Sequence, residues 1–165
     1  MGLVVGIGGV SRSGKSTLAS TIKKLYDHLK VQVLVMDQFV LPETKIPKIK
    51  GITDWETPES VDFPRLIQTV DEYHHTSDIL IVEGILIYNH PILAEMFDIK
   101  LFVNVTNSEF KLRKKLDDRW EIPLWFIDHI WESYLKYGII HKNKCQILNG
   151  MAAFDGQKIK NIINL

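Results

Sequence analysis

Apolar residues recur along this chain with two alternating periods. Residues 3–8, LVVGIG, form a short continuous apolar run, the pattern of a strand covered on both faces. Over 15–29, Leu18, Ile22, Leu25 and Leu29 fall on one stripe and predict a helix. VQVLVM at 31–36 is rich in β-branched residues and predicts a second strand, closed by Asp37. Residues 38–57 carry two prolines and little apolar periodicity, and predict a long loop of the kind that usually serves function. Thr57-Pro58-Glu59 carries the marks of a helix start, with Thr as N-cap and Pro in the first turn. Phe63, Leu66, Ile67, Val70 and Tyr73 continue that helix as a stripe.

DILIVEG at 78–84 and LFVNV at 101–105 predict two central strands. A charged helix is expected over 107–119, and a further helix is striped by Phe126, Ile130, Tyr134 and Tyr137. CQIL at 145–148 predicts a last strand and 155–164 a last helix. Strand and helix alternate about five times, which is the signature of a three-layer α/β fold with a parallel sheet of about five strands.

Composition narrows the class. The chain has 165 residues, so one domain over 1–165 is expected, with no linker, repeat or low-complexity tract. Twenty Lys+Arg balance twenty Asp+Glu, so neither nucleic acid nor a membrane surface is an expected partner. Cys145 is the single cysteine, which excludes an intrachain disulfide framework and a Cys-rich zinc site. No apolar run approaches the ~20 residues of a membrane span, and the start lacks the basic segment of a secretory leader. A cytoplasmic protein, monomeric or a small homo-oligomer, is expected.

The chemistry lies between the first strand and the first helix. Gly9-Val10-Ser11-Arg12-Ser13-Gly14-Lys15-Ser16-Thr17 satisfies the P-loop pattern G-x-x-x-x-G-K-[ST] in the strand–loop–helix setting that pattern requires. Its glycines let backbone amides converge on phosphate oxygens, at the positive end of the helix. Lys15 supplies a full charge toward the β- and γ-phosphates, and Ser16 offers a hydroxyl to Mg²⁺. The chain is therefore expected to bind ATP and Mg²⁺ on a P-loop NTPase fold. A switch GTPase is disfavoured, because Asn143-Lys144-Cys145-Gln146 lacks the Asp that reads guanine.

Asp37 and Glu83 each end a predicted strand, at the sheet edge where parallel α/β proteins bind ligands. Glu83 suits a magnesium-side acid. Asp37 suits a group that orients an attacking hydroxyl or accepts its proton.

GIGGVSRSGKSTLA, VMDQFVLPE, TDWETPESVD, ILIVEGILIYN and IDHIWESYLKYG together resemble the uridine kinase-like P-loop kinases, and within them the nicotinamide riboside kinases. The resemblance spans about residues 3–150. It implies transfer of the ATP γ-phosphate to the ribose 5′-hydroxyl of nicotinamide riboside. Uridine, cytidine or another small metabolite is the alternative acceptor, and a non-catalytic ATP-binding module is a distant third reading. On this resemblance Asp37 contacts the 5′-hydroxyl, and Ser16 and Glu83 lie on the magnesium side. Trp55 stacks on the nicotinamide ring and Glu56 binds the ribose hydroxyls.

A short helical lid is expected at about 107–126, where Lys111-Leu112-Arg113-Lys114-Lys115 matches the family's basic helix. Arg113 and Lys114 are its candidate phosphate clamps, and Trp120 is the candidate second aromatic wall, in competition with Arg119 and Trp125. The chain departs from the family pattern at Gln38, Trp55 and Glu56, where a second acid, Tyr and Asp are commoner. His74 and His75 are expected to face solvent, His129 and His141 lack a carboxylate partner at ligand spacing, and Cys145 is expected to be a buried thiol.

Overall fold

The computed structural model describes residues 2–117, 121–140 and 145–165. Five strands form one parallel sheet: β1 (Leu3–Gly8), β2 (Val31–Val35), β5 (Ile79–Glu83), β6 (Ile99–Asn104) and β7 (Gln146–Asn149). Their spatial order is β2-β5-β1-β6-β7, so β1 sits at the centre between β5 and β6. This is the architecture expected from the alternating pattern.

Side-chain alternation splits the sheet into two cores. Val5, Ile7, Ile79, Ile81, Leu101 and Val103 face Leu18 and Ile22 of α1 (Lys15–Leu25) and Ile159 and Ile163 of α6 (Gly156–Ile163). Val4, Leu80 and Val82 face the other way, onto Leu66 and Val70 of α2 (Phe63–His74) and Leu93 of α3 (Pro91–Glu95). Every residue of β5 is buried, which explains its unbroken apolar run. A third cluster lies beyond the strand ends. Phe110 of α4 (Asn107–Lys115) packs there with Phe126, Ile127 and Ile130 of α5 (Leu124–Ser133), which continues through a π-turn, Tyr134–Gly138.

The segment between β2 and α2 is more ordered than a plain loop. It contains a two-stranded antiparallel hairpin, β3 (Lys48–Ile49) and β4 (Ile52–Thr53), with Lys50 and Gly51 at positive φ in its turn. The α2 helix also begins later than expected. Leu41 N–H donates to the Ser60 carbonyl at 2.8 Å, Asp62 N–H donates to the Phe39 carbonyl at 2.7 Å, and Val40 bridges Val61. This pairing holds Val61 extended. Thr57-Pro58-Glu59 therefore opens only a 3-10 turn, Pro58–Ser60, and Asp62 caps α2 by accepting from Arg65 N–H at 3.2 Å.

Three further elements differ from the expected pattern. The α1 helix stops at Leu25, because Tyr26 leaves helical geometry and Leu29 N–H closes a turn onto the Tyr26 carbonyl. The α4 helix ends at Lys115, and the remainder of its expected length at 118–119 lies outside the described residues. The α3 helix is an addition, since its five residues carry no clear apolar stripe.

Asp62→Ala should cost about 1 kcal/mol of stability, the usual value of an N-cap. Thr57→Ala should not raise the fraying of α2, and urea titrations with amide exchange across 63–67 separate the two.

Candidate active site

The P-loop fills the gap between β1 and α1. Three of its residues adopt positive φ: Gly9 at 145°, Arg12 at 62° and Gly14 at 106°. Gly9 has no alternative, because a Cβ there would lie 2.5 Å from the Val103 carbonyl oxygen. Ser13 is fully buried beneath the loop, and its N–H donates to the Val10 carbonyl at 3.1 Å. Gly14 starts α1 without a side-chain cap, so the helix presents bare amides and its positive end to the cavity above. Lys15 Nζ donates to the Val10 carbonyl at 3.0 Å. Burial pulls the Lys15 pKa below its ordinary value, against the opposing pull of Glu83, Asp37 and Glu56.

The ends of β1, β2 and β5 are level. Ile7 and Val35 both pair with Glu83 across the sheet, which puts this acid beside the P-loop. Glu83 is only 3% exposed, and the Ser16 hydroxyl donates to its Oε1. Asp37 follows β2 in a 3-10 turn, Met36–Gln38, whose Met36 is buried. That anchor leaves Asp37 exposed above the strand end, facing the cleft.

Two cavities meet there. One, of about 430 Å³, is walled by Ser11, Arg12, Gly14, Lys15, Ser16 and Thr17, with Asp37, Glu83 and Arg113 opposite. The other, of about 540 Å³, is walled by Asp37, Trp55, Glu56 and Lys114, over an apolar floor that includes Met36, Val40, Ile85 and Phe126. Asp37, Ser11 and Ile85 line both.

Glu56 is the most perturbed acid of the second cavity. Burial raises its pKa to about 7; Lys114 and His129 oppose the rise, while Asp54 and Asp37 add to it. Trp55 stands at the rim, 42% exposed, with its carbonyl accepting from the Ser60 hydroxyl at 3.0 Å.

The basic helix α4 divides its cations. Arg113 is not a free clamp: its guanidinium donates to Glu109 at 2.6 Å, to the Arg12 carbonyl at 3.1 Å and to the Gly150 carbonyl at 2.9 Å. It thereby ties the P-loop to the end of β7. Lys114 reaches the second cavity instead, 4.0 Å from Asp117, which also lies 3.7 Å from Arg12. Lys111 is paired at the surface with Asp128 at 2.6 Å. Trp120 and Arg119 lie outside the described residues. Trp125 sits under Lys50 of the hairpin, with Nζ 4.4 Å from the ring centroid, and packs edge-on to Phe126.

His129 has a carboxylate partner that lies outside any ligand spacing: its Nε2 lies 2.8 Å from Asp54 Oδ1. The two residues are 75 positions apart, so no local spacing could announce the pair. Cys145 is only partly buried, against the third core cluster, and burial raises its thiol pKa.

No family model matches the chain. Human nicotinamide riboside kinase 1 is 29% identical over 153 residues, covering 81% of this chain and 75% of that protein. Uridine kinase from Bacillus thuringiensis (strain Al Hakam) is 28% identical over 142 residues, covering 69% and 65%. The chain is a P-loop kinase related to these proteins. In structure the kinase is similar to a possible uridine kinase from Bacillus stearothermophilus, with a TM-score of 0.61 at 20% identity over 89% of this chain and 88% of that one. That likeness supports the fold. A P-loop kinase uses ATP with a divalent metal and transfers phosphate to a hydroxyl. No helix among the described residues is long and apolar enough to cross a membrane.

The raised Glu56 pKa sets a sign for stability. The folded kinase binds a proton at Glu56 more tightly than the unfolded chain does. Its contribution is therefore full below about 4.5 and is lost as pH rises to about 7. Glu56→Gln should remove that loss, on the order of 2 kcal/mol at neutral pH. Each tenfold difference in proton affinity is worth about 1.4 kcal/mol, and water at the open side of the cavity screens part of the total. Urea midpoints of the two proteins at pH 5 and pH 8 measure the difference.

Proposed function

We propose that this kinase transfers the γ-phosphate of Mg²⁺-ATP to the ribose 5′-hydroxyl of nicotinamide riboside, giving nicotinamide mononucleotide. The observation that carries the reading is the position of Asp37, on the wall shared by the phosphate cavity and the second cavity. A hydroxyl in the second cavity meets Asp37 on one side and the γ-phosphate on the other, as in-line transfer needs.

The second cavity suits a cationic base. Asp37 and Glu56 supply negative charge, and Trp55 supplies an aromatic face, the best partner for a pyridinium ring. A neutral pyrimidine gains less from the same groups. Glu56 also suits the ribose hydroxyls as a hydrogen-bond acceptor. Similarity to nicotinamide riboside kinase 1 over 81% of the chain supports this choice of acceptor.

The P-loop amides and Lys15 bind the phosphates, with Lys15 leaving the Val10 carbonyl for the β/γ oxygens. Ser16 and Glu83 would hold the metal. They are two oxygen donors in contact, one of them a buried carboxylate that calls for a cation, and Mg²⁺ characteristically takes one or two protein oxygens and draws the rest from phosphate and water. When bound, the metal neutralises charge on the β and γ phosphates. Asp37 orients the 5′-hydroxyl and accepts its proton as the oxygen bonds to phosphorus. Lys114, which lines the second cavity from α4, would stabilise charge that builds on the transferring group. Arg113 acts indirectly, by fixing the Arg12 carbonyl and the shape of the loop.

Coupled ADP release with nicotinamide riboside, uridine, cytidine or no acceptor tests the reading. Turnover on nicotinamide riboside above the others is expected; turnover on a pyrimidine nucleoside instead would overturn the choice of acceptor. Asp37→Ala should lower kcat by ~10²-fold or more, the usual contribution of a positioned base, and leave ATP binding by calorimetry nearly intact. The KM for nicotinamide riboside should fall as pH rises through about 7, because ionised Glu56 attracts the cation, and Glu56→Gln should flatten that profile.

A further inference from the structure

The hairpin and the turn after it, which leads into Trp55 and Glu56, are seated on α5 by three contacts. Ile49 and Ile52 pack against the cluster containing Phe126 and Ile130. Lys50 lies over Trp125. The third contact is polar: His129 Nε2 stands 2.8 Å from Asp54 Oδ1, with the two side chains only 16% and 15% exposed. The same Asp54 Oδ1 accepts the Glu56 N–H at 3.1 Å. His129, Asp54 and the Glu56 backbone therefore form a continuous chain of hydrogen bonds, ending at two neighbouring side chains, Trp55 and Glu56, that wall the acceptor cavity.

Neither His129 nor Asp54 lines the cavity itself. The charge-assisted bond is the strong member of the seat, because an ionised carboxylate accepts from the ring N–H in a site largely closed to water. The His129 ring is held in turn by Phe126, with centroids 5.4 Å apart, and Phe126 forms part of the cavity floor. The acceptor wall is thus braced from the helix that follows the lid segment, some seventy-five residues away along the chain.

We propose that His129 is a positioning residue for the acceptor, acting through Asp54 to hold Trp55 and Glu56 at the cavity wall. This rests on the second cavity being the acceptor site. It assigns His129 no contact with substrate and no proton transfer.

The test uses the full chain and four variants: His129→Ala, His129→Gln, Asp54→Ala and the His129→Ala/Asp54→Ala double variant. His129→Ala is expected to raise the KM for nicotinamide riboside about tenfold, the size of one lost charge-assisted hydrogen bond. The KM for ATP should stay within about twofold, since the phosphate cavity is built from other elements. Asp54→Ala should have a similar effect, and the double variant should be no worse than the more affected single one, because both break one bond. His129→Gln keeps an N–H near the Nε2 position and should recover most of the acceptor KM. Unchanged acceptor KM in His129→Ala, strictly additive effects, or a parallel rise in the KM for ATP would each overturn the proposal.

Amide exchange supplies a readout independent of the acceptor. In His129→Ala, residues 51–57 should exchange faster while α1 is unchanged; equal exchange at 51–57 would also overturn the proposal. Wild-type turnover of uridine rather than nicotinamide riboside would defeat the choice of substrate alone, and the KM series would then be run on uridine. Should His129→Ala fail to fold, His129→Phe, which keeps a ring against Phe126 but has no N–H for Asp54, carries the same expectations.

Discussion

Glu83 ends a strand that is buried on both faces, and a carboxylate in that place must be met by a hydrogen bond or a cation. Much of the cleft can be understood from that requirement. The Ser16 hydroxyl meets it directly, and Lys15 lies in the same cavity. Both stand at the start of α1, so the helix must begin beside the end of β5, and the loop before it must turn within six residues. Gly9, Arg12 and Gly14 make that turn possible by adopting positive φ. Tyr88 holds the strands beneath, its hydroxyl 2.7 Å from the Gly6 carbonyl and 2.8 Å from the Leu101 carbonyl. The phosphate cradle is thus attached to the best-packed part of the sheet.

Features encoded within a few neighbouring residues are legible in the sequence. The strand–glycine–helix signal of 3–29, the acid at the end of VQVLVM and the acid at the end of DILIVE all reach the cleft as expected. What cannot be seen from the sequence depends on distant pairing. The start of α2 lies at Asp62 rather than Thr57 because 39–41 pairs with 60–62. The His129–Asp54 bond joins two segments whose separate patterns say nothing of each other. Arg113 reads as an open cation in the sequence; its planar fork of donors instead matches two backbone carbonyls and Glu109.

This division of labour in α4 has an electrostatic logic. Arg113 directs its donors to neutral carbonyls and one carboxylate, so it fixes shape more than it adds field. Lys114, a compact charge on a flexible stem, remains near Glu56, where it works against the rise in that carboxyl's pKa. The wall of the second cavity thus carries a proton-binding group held close to neutrality by burial on one side and by the Lys114 ammonium on the other.

The wall shared by the two cavities also bears on what happens when no acceptor is present. Water admitted to the second cavity would meet the same Asp37 as a sugar hydroxyl and could be activated against the same phosphate. The apolar floor of Met36, Val40, Ile85 and Phe126 gives such a water few partners to hold it in line. On the proposed function, a ring filling that floor would place the competing nucleophile outside the cavity. The same apolar lining that would receive the base would then also guard ATP against hydrolysis.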